Sequence, residues 1–78
     1  DEWVTGTISF DAASLPEIGR RLEREYSVKI EITDPALCGF RFYGTFNSSR
    51  QDIDEVLQSL SATGKFRYRK EHNVVTLY

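Results

Sequence analysis

Small or apolar residues alternate with hydroxyl residues near the start of the chain. Val4, Gly6, Ile8 and Phe10 are each separated by a Thr or Ser. A period of two is typical of a strand with one buried face. We therefore predict a first strand from about Val4 to Phe10.

The pattern then becomes helical. Ser14 and Glu17 have the spacing of a capping box, and Pro16 lies in the first turn, where its missing N–H costs nothing. The apolar positions that follow recur at intervals of three and four: Leu15, Ile18, Leu22 and Tyr26. The charged residues of segment 20–25 mostly occupy the other positions. This pattern indicates a helix face that is exposed to solvent. A helix should begin at Ser14 and bury one stripe.

Two further alternating segments follow this helix. Val28, Ile30 and Ile32 give a second strand, which a turn at residues 34–35 closes. The apolar face of a third, aromatic-rich strand comprises Phe40, Phe42, Gly44 and Phe46. Both segments are expected to bury the face that carries their apolar residues.

A second helix is predicted after the aromatic strand. Its apolar stripe comprises Ile53, Val56, Leu57 and Leu60. We expect Ser48 or Ser49 to cap it, with Gln51 or Asp52 in the reciprocal position. Gly64 should supply a left-handed stop shortly after it.

The pattern of the last segment predicts a hairpin. Phe66 and Tyr68 alternate with basic residues, and residues 71–73 turn the chain into a final strand, Val74 to Tyr78. The predicted order is β-α-β-β-α-β-β, which contains two strand–helix–strand units in tandem. The fold class is therefore α+β or split α/β.

Length and charge narrow the possible classes of protein. With 78 residues, the chain fits a single domain over residues 1–78. Its formal net charge of −2 gives no field that would attract phosphate backbones, so we expect no nucleic-acid partner. No apolar run approaches the roughly 20 residues that span a bilayer. Because the chain lacks an initiator Met and starts close to its first strand, we expect an excised domain with targeting segments upstream.

The sequence offers no recognised set of catalytic or metal-binding residues. His72 is the single histidine and falls in a charged turn, and Cys38 is the single cysteine. Neither has a neighbour that would complete a metal site or a nucleophile–base pair. We therefore expect no enzymatic activity, no catalytic residue, no metal and no cofactor.

One strand is rich in basic residues. Lys65, Arg67 and Arg69 would share a face, with Tyr43 or Tyr78 near them. Such a face could bind single-stranded nucleic acid. Alternating basic residues are also common on the solvent side of strands, where they prevent aggregation. Protein binding is the main functional alternative.

Ordered sequence blocks resemble the C-terminal domain of FecR-type anti-sigma factors. The blocks that carry the resemblance cover nearly the whole chain: 8–10, 14–17, 22–26, 28–35, 42–46, 53–60 and 66–68. The Gly-Thr-Phe strand at residues 44–46 is the most specific of them. More loosely, the pattern is similar to the signalling module of TonB-dependent transducers and to N-domains of secretins.

The resemblance implies two helices packed between small sheets, and a parent protein with three parts. These are a cytoplasmic sigma-binding segment, one membrane helix and a periplasmic sensor region to which this domain would belong. Its implied partner is the signalling domain of a TonB-dependent outer-membrane transporter, and the parent would release an extracytoplasmic-function sigma factor. A transducer module or a secretin-type assembly module remains the alternative.

The resemblance transfers no binding residue from the family. We expect a sheet edge or a solvated sheet face to contact the partner, with main-chain pairing giving affinity. The side chains expected to give specificity are Arg41, Tyr43, Arg67 and Arg69.

Overall fold

A computed structural model describes residues 6–78 of the chain. Within this range the elements are β1 (Thr7–Ala13), α1 (Leu15–Tyr26), β2 (Lys29–Ile32), a short 3₁₀ helix (Pro35–Gly39), β3 (Phe42–Asn47), α2 (Ile53–Ser61), β4 (Tyr68–Glu71) and β5 (Val74–Leu77). The predicted α+β class and the order β-α-β-β-α-β-β are confirmed.

The strands form two small sheets. β1 pairs with β3 in antiparallel register, with Ile8 opposite Phe46 and Phe10 opposite Gly44. The second sheet has the order β2-β5-β4. There β5 runs parallel to β2 and antiparallel to β4, so the predicted final hairpin is confirmed.

The first strand extends further than its alternation suggested. Its register skips Asp11 and Ala12, and pairing resumes between Ala13 and Phe42. Ala12 has a φ of 55°, so the extra residues form a β-bulge that breaks the period of two. Val4, where the strand was expected to begin, lies outside the described residues.

The predicted start of α1 is confirmed. The Ser14 backbone N–H donates to Oε1 of Glu17 at 2.8 Å, and the Glu17 N–H donates back to Oγ of Ser14 at 3.4 Å. The helix ends at Ser27, which has a left-handed φ of 54°. Gly19 faces β2, where an added Cβ would lie 3.2 Å from Cγ2 of Ile30. The glycine therefore lets α1 approach β2 closely.

The expected cap of α2 at Ser48 or Ser49 is wrong. Asp52 caps the helix: its Oδ1 accepts from the Glu55 N–H at 2.9 Å, and Glu55 Oε1 accepts from the Asp52 N–H at 3.0 Å. The serines belong to a turn that Asn47 organises, since Asn47 Oδ1 accepts from the Ser49 N–H at 2.9 Å. Because Asn and Asp side chains readily form such local turns, the helix starts later.

A single hydrophobic cluster receives side chains from both sheets and both helices. It comprises Ile8, Phe10, Leu15, Ile18, Leu22, Leu37, Phe42, Phe46, Ile53, Val56, Leu57, Leu60, Phe66, Val75 and Leu77. The Phe42 and Phe66 rings meet edge-to-face, with centroids 5.6 Å apart. Phe40, expected on the buried face of β3, is 37% exposed, because the 3₁₀ helix ends before it and buries Leu37 instead.

Substitution of Asp52 by Ala tests the revised helix cap. The variant loses the reciprocal hydrogen bonds with Glu55, so we expect its free energy of unfolding to fall by about 1 kcal/mol. Asp54→Ala is the control, because it also removes a carboxylate from the first turn but leaves the cap intact. It should cost only a few tenths of a kcal/mol, roughly the helix-dipole contribution. Urea denaturation measures the free energy of unfolding of each variant. Equal losses of stability in the two variants would contradict the assigned cap.

Candidate protein-binding surfaces

The solvent face of the three-stranded sheet carries two arginines beside one tyrosine. Arg67 and Tyr78 extend the β4–β5 ladder by one pair, with N···O distances of 2.7 and 2.9 Å. Arg69 lies opposite Thr76. Because residues two apart in a strand share a face, Arg67, Arg69 and Tyr78 come together on one side. We call these three residues the Arg–Tyr cluster.

Both guanidinium groups of the cluster contact the same aromatic ring. The Cζ atoms of Arg67 and Arg69 lie 5.9 and 5.8 Å from the centroid of the Tyr78 ring. Cation–π contacts at exposed sites contribute about 0.5–1 kcal/mol each. They also restrain two long side chains, which lowers the conformational entropy lost when a partner binds. The ring is 43% exposed and remains accessible.

The buried face of the same sheet explains this orientation. Val75 and Leu77 of β5 are fully buried in the core. Since alternate residues of a strand point to opposite faces, Thr76 and Tyr78 must point outward. The polar face of β4 therefore follows from burial of its neighbouring strand.

The structure does not place all four predicted binding residues on one surface. Tyr43 lies in β3 of the other sheet and is 66% exposed. Arg41 directly precedes that strand, and its charge is one of the contributions that lower the pKa of Glu17. Arg41 and Tyr43 therefore belong to the β1–β3 side, whereas Arg67 and Arg69 belong to the Arg–Tyr cluster.

A second surface, which the sequence did not single out, is a cleft between β1 and α1. Its volume is 480 Å³, and its lining comprises Ser9, Phe10, Asp11, Ala12, Ala13, Glu17, Arg20, Arg21 and Arg24. Arg21 spans one end, where it donates to the Thr7 carbonyl at 3.0 Å and to Glu25 Oε2 at 3.1 Å. In the sequence, only the four-residue spacing of Arg20 and Arg24 pointed to this surface. The same spacing is common on solvent-exposed helix faces, so it could not identify the cleft.

Neither Cys38 nor His72 lines the cleft or belongs to the Arg–Tyr cluster. Cys38 is an exposed free thiol in the 3₁₀ helix, and His72 occupies the hairpin turn with a φ of 56°. Among residues 6–78, no three potential metal ligands cluster. No helix in this described range has the length and apolar character needed to cross a bilayer.

Two tyrosines have raised pKa values for structural reasons. Burial raises the pKa of Tyr26, with smaller contributions from Glu25 and other nearby carboxylates. Its hydroxyl donates to the Gln51 carbonyl at 2.8 Å and so ties α1 to the turn before α2. Burial also raises the pKa of Tyr68, with Asp54 as the next contribution.

Comparison with known protein families identifies the domain. A family model described as FecR, C-terminal, matches residues 7–77. The chain belongs to the FecR C-terminal family. The match includes both sheets, both helices and the Arg–Tyr cluster except Tyr78.

Solved structures agree with this assignment. The FecR C-terminal domain is similar to two crystal structures, each of a protein described as a "putative anti-sigma factor" from Parabacteroides distasonis. The TM-scores are 0.83 and 0.81, with 25% and 27% sequence identity. Each match covers 97% of this chain and 35% of the other, so the domain spans about a third of those proteins. No curated protein matches the chain.

Glu17 should make the stability of the FecR C-terminal domain depend on pH. Hydrogen bonds from the Ser14 backbone and side chain lower the pKa of Glu17 from its ordinary value of 4.5. A lowered folded-state pKa means that the stabilisation is present above pH 4.5 and is lost as the pH falls through the folded pKa. Glu17→Gln keeps an acceptor for the cap but cannot titrate.

We therefore expect the unfolding free energy of Glu17→Gln to fall less steeply below pH 4.5 than that of the wild type. Urea denaturation across this range measures the slope. Glu71→Gln, which changes an exposed carboxylate at the hairpin, is the control for the loss of one negative charge at the surface. Identical slopes for Glu17→Gln and the wild type would contradict the role of Glu17.

Proposed function

We propose that this domain is the periplasmic protein-recognition part of a transmembrane anti-sigma regulator. The observation that carries the proposal is the FecR C-terminal match over residues 7–77. The similarity to structures described as anti-sigma factors supports the same class of protein. The parent protein would bind an extracytoplasmic-function sigma factor through a cytoplasmic segment outside this chain.

In this proposal the partner of the domain is the signalling module of a TonB-dependent outer-membrane transporter. Binding of that module would report the state of the transporter, and the regulator would then release its sigma factor. The domain contributes recognition without bond chemistry. A periplasmic position follows from this arrangement, in which a membrane helix outside the chain separates the two binding functions.

The Arg–Tyr cluster supports a recognition role. Arg and Tyr are enriched among the residues that dominate binding energy, because they combine a large apolar area with directed hydrogen bonds. Here both arginines are already held against the Tyr78 ring at about 6 Å. We therefore assign the first contact surface to this cluster rather than to Arg41 and Tyr43.

The proposal is tested by titrating the domain with the signalling module of the transporter encoded beside it. We expect saturable binding, and no binding to an unrelated signalling module. Arg67→Ala/Arg69→Ala should raise the Kd at least about tenfold, because truncation of anchoring arginines typically costs more than 1 kcal/mol. Calorimetric titration measures each Kd.

Arg50→Ala/Lys70→Ala is the matched control. It removes two positive charges from exposed positions outside the cluster, so it should leave the Kd within about twofold of the wild type. Unchanged affinity in the Arg67→Ala/Arg69→Ala variant would reject this face as the contact surface. Equal binding by the unrelated module would reject the transporter relay itself.

A further inference from the structure

Within residues 6–78, β1 pairs with β3 alone, so its outer edge has main-chain groups that no other strand covers. The Ser48 N–H donates to the Gly6 carbonyl at 2.7 Å, which sets the hydrogen-bonding phase of the β1–β3 ladder. Since this phase alternates in an antiparallel pair, Ile8 and Phe10 point their main-chain groups toward β3. Thr7 and Ser9 point theirs to the outer edge. The hydrogen bond from Arg21 to the Thr7 carbonyl, on that outer side, agrees with this phase.

The outer edges of β2 and β3 each carry a side chain bonded to an outward main-chain group. Glu23 Oε2 accepts from the outward Ile30 N–H of β2 at 2.8 Å. Gln51 Oε1 accepts from the Asn47 N–H at the outer edge of β3, at 2.9 Å. Arg21 occupies only one end of the β1 edge, and within residues 6–78 the Ser9 N–H and carbonyl have no hydrogen-bond partner.

The β1 edge opens into the 480 Å³ cleft described above. This volume falls within the roughly 300–1,000 Å³ of ligand-binding clefts. The cleft runs past Ser9 and the bulge to the exposed side of α1. An extended segment that enters it would therefore meet the outer edge of β1, which no other strand within residues 6–78 covers, on one side and a helix on the other.

The helix side of the cleft presents two arginines without an ion-pair partner in the described range. Arg21 is paired with Glu25, at 3.1 Å, whereas among residues 6–78 neither Arg20 nor Arg24 has a carboxylate within 4.0 Å. Glu17 also lines the cleft; hydrogen bonds from the Ser14 cap lower its pKa, and the charge of Arg20 makes a smaller contribution. Among the described residues, the cleft arginines without a salt bridge are thus Arg20 and Arg24.

The spacing of these arginines matches an extended chain. Residues four apart on a helix have Cβ atoms about 6 Å apart. Residues two apart in a strand are about 7 Å apart and lie on the same face. Two carboxylates at alternating positions of an added strand could therefore each approach one arginine. Asp11, on the strand side, disfavours a further carboxylate next to the bulge.

We propose that the outer edge of β1 and residues Arg20 and Arg24 bind an extended segment of a partner protein that carries two carboxylates at alternating positions. The segment adds to the sheet as a third strand beside Ser9. The identity of the partner rests on the proposed function, whereas the chemistry of the segment rests on the cleft alone.

A synthetic peptide tests the cleft without the transporter. The probe is acetyl-Thr-Val-Glu-Val-Glu-Val-Thr-amide, and its counterpart has Lys in place of both Glu. We expect the acidic peptide to shift the backbone amide NMR signals of Ser9 to Ala13 and of Arg20 to Arg24 in a saturable manner. The lysine peptide should bind at least about tenfold more weakly, because it places like charges beside both arginines.

Proline substitutions distinguish between the two outer edges of this sheet. Ser9→Pro removes an outward N–H without touching the bonds to β3, so it should weaken peptide binding about fivefold to tenfold. Thr45 lies directly opposite Ser9 and points its N–H to the outer edge of β3. Thr45→Pro is therefore the matched control and should leave the peptide Kd unchanged.

A charge-reversal variant keeps the test independent of backbone substitutions. Arg20→Glu/Arg24→Glu should weaken binding of the acidic peptide about tenfold or more and strengthen binding of the lysine peptide. Equal effects of Ser9→Pro and Thr45→Pro, equal affinity for the two peptides, or no saturable binding would each overturn the proposal. Self-association of the domain that Ser9→Pro abolishes would assign the edge to a second copy and also overturn it.

The two proposals can fail separately. If the transporter module binds and only the Arg–Tyr cluster variants weaken it, while the peptide does not bind, the cleft inference fails and the proposed function stands. If the acidic peptide binds with the expected variant effects but the module does not bind, the transporter relay fails and the cleft stands as a strand-binding site.

Discussion

Packing of the β1–β3 pair onto the helices is the interaction on which the rest of the fold depends. A two-stranded sheet is at best marginally stable in water. Ile8, Phe42 and Phe46 carry it into the common core, where they join the apolar faces of α1 and α2. The three-stranded sheet enters the same cluster through Val75 and Leu77. Neither sheet has a core of its own, so the domain should unfold as one unit.

Small sheets also leave a large proportion of their strands at an edge. The chain limits this exposure with long polar side chains, because Arg21, Glu23 and Gln51 each satisfy one outward main-chain group. These contacts place a charged or amide group where another strand would otherwise begin to pair, which opposes aggregation. They also restrict the places at which a specific partner strand can add.

Local signals determined how much of the fold was predictable from the sequence. The α1 start was predictable because its capping hydrogen bonds join Ser14 to Glu17, which are only three residues apart. The α2 start was not, because the Asn47 side chain forms a competing turn just before it. Phe40 fitted the alternation of β3 but lies before the strand, where the 3₁₀ helix changes the direction of the chain. Periodicity gave the buried positions, while caps and turns set the boundaries.

Strand pairing determined how much of the candidate surface was predictable. Arg67 and Arg69 share a face because they are two residues apart, and the β4–β5 hairpin brings Tyr78 beside them.

The relation of those arginines to Tyr43 depended on which strands share a sheet, and alternation carries no information about that. The same holds for the cleft, since Arg20 and Arg24 gain their setting only from the distant edge of β1.

The size of the domain links its stability to its proposed role. A chain of 78 residues buries only about 60–65% of the surface that its unfolded form exposes, so its net stability is small. A partner that binds the folded form alone raises the free energy of unfolding by about 2.7 kcal/mol at a concentration 100-fold above its Kd. Such a gain would be a large fraction of the domain's own free energy of unfolding. Occupation of a strand edge would therefore change the stability of the whole core, because both sheets share it.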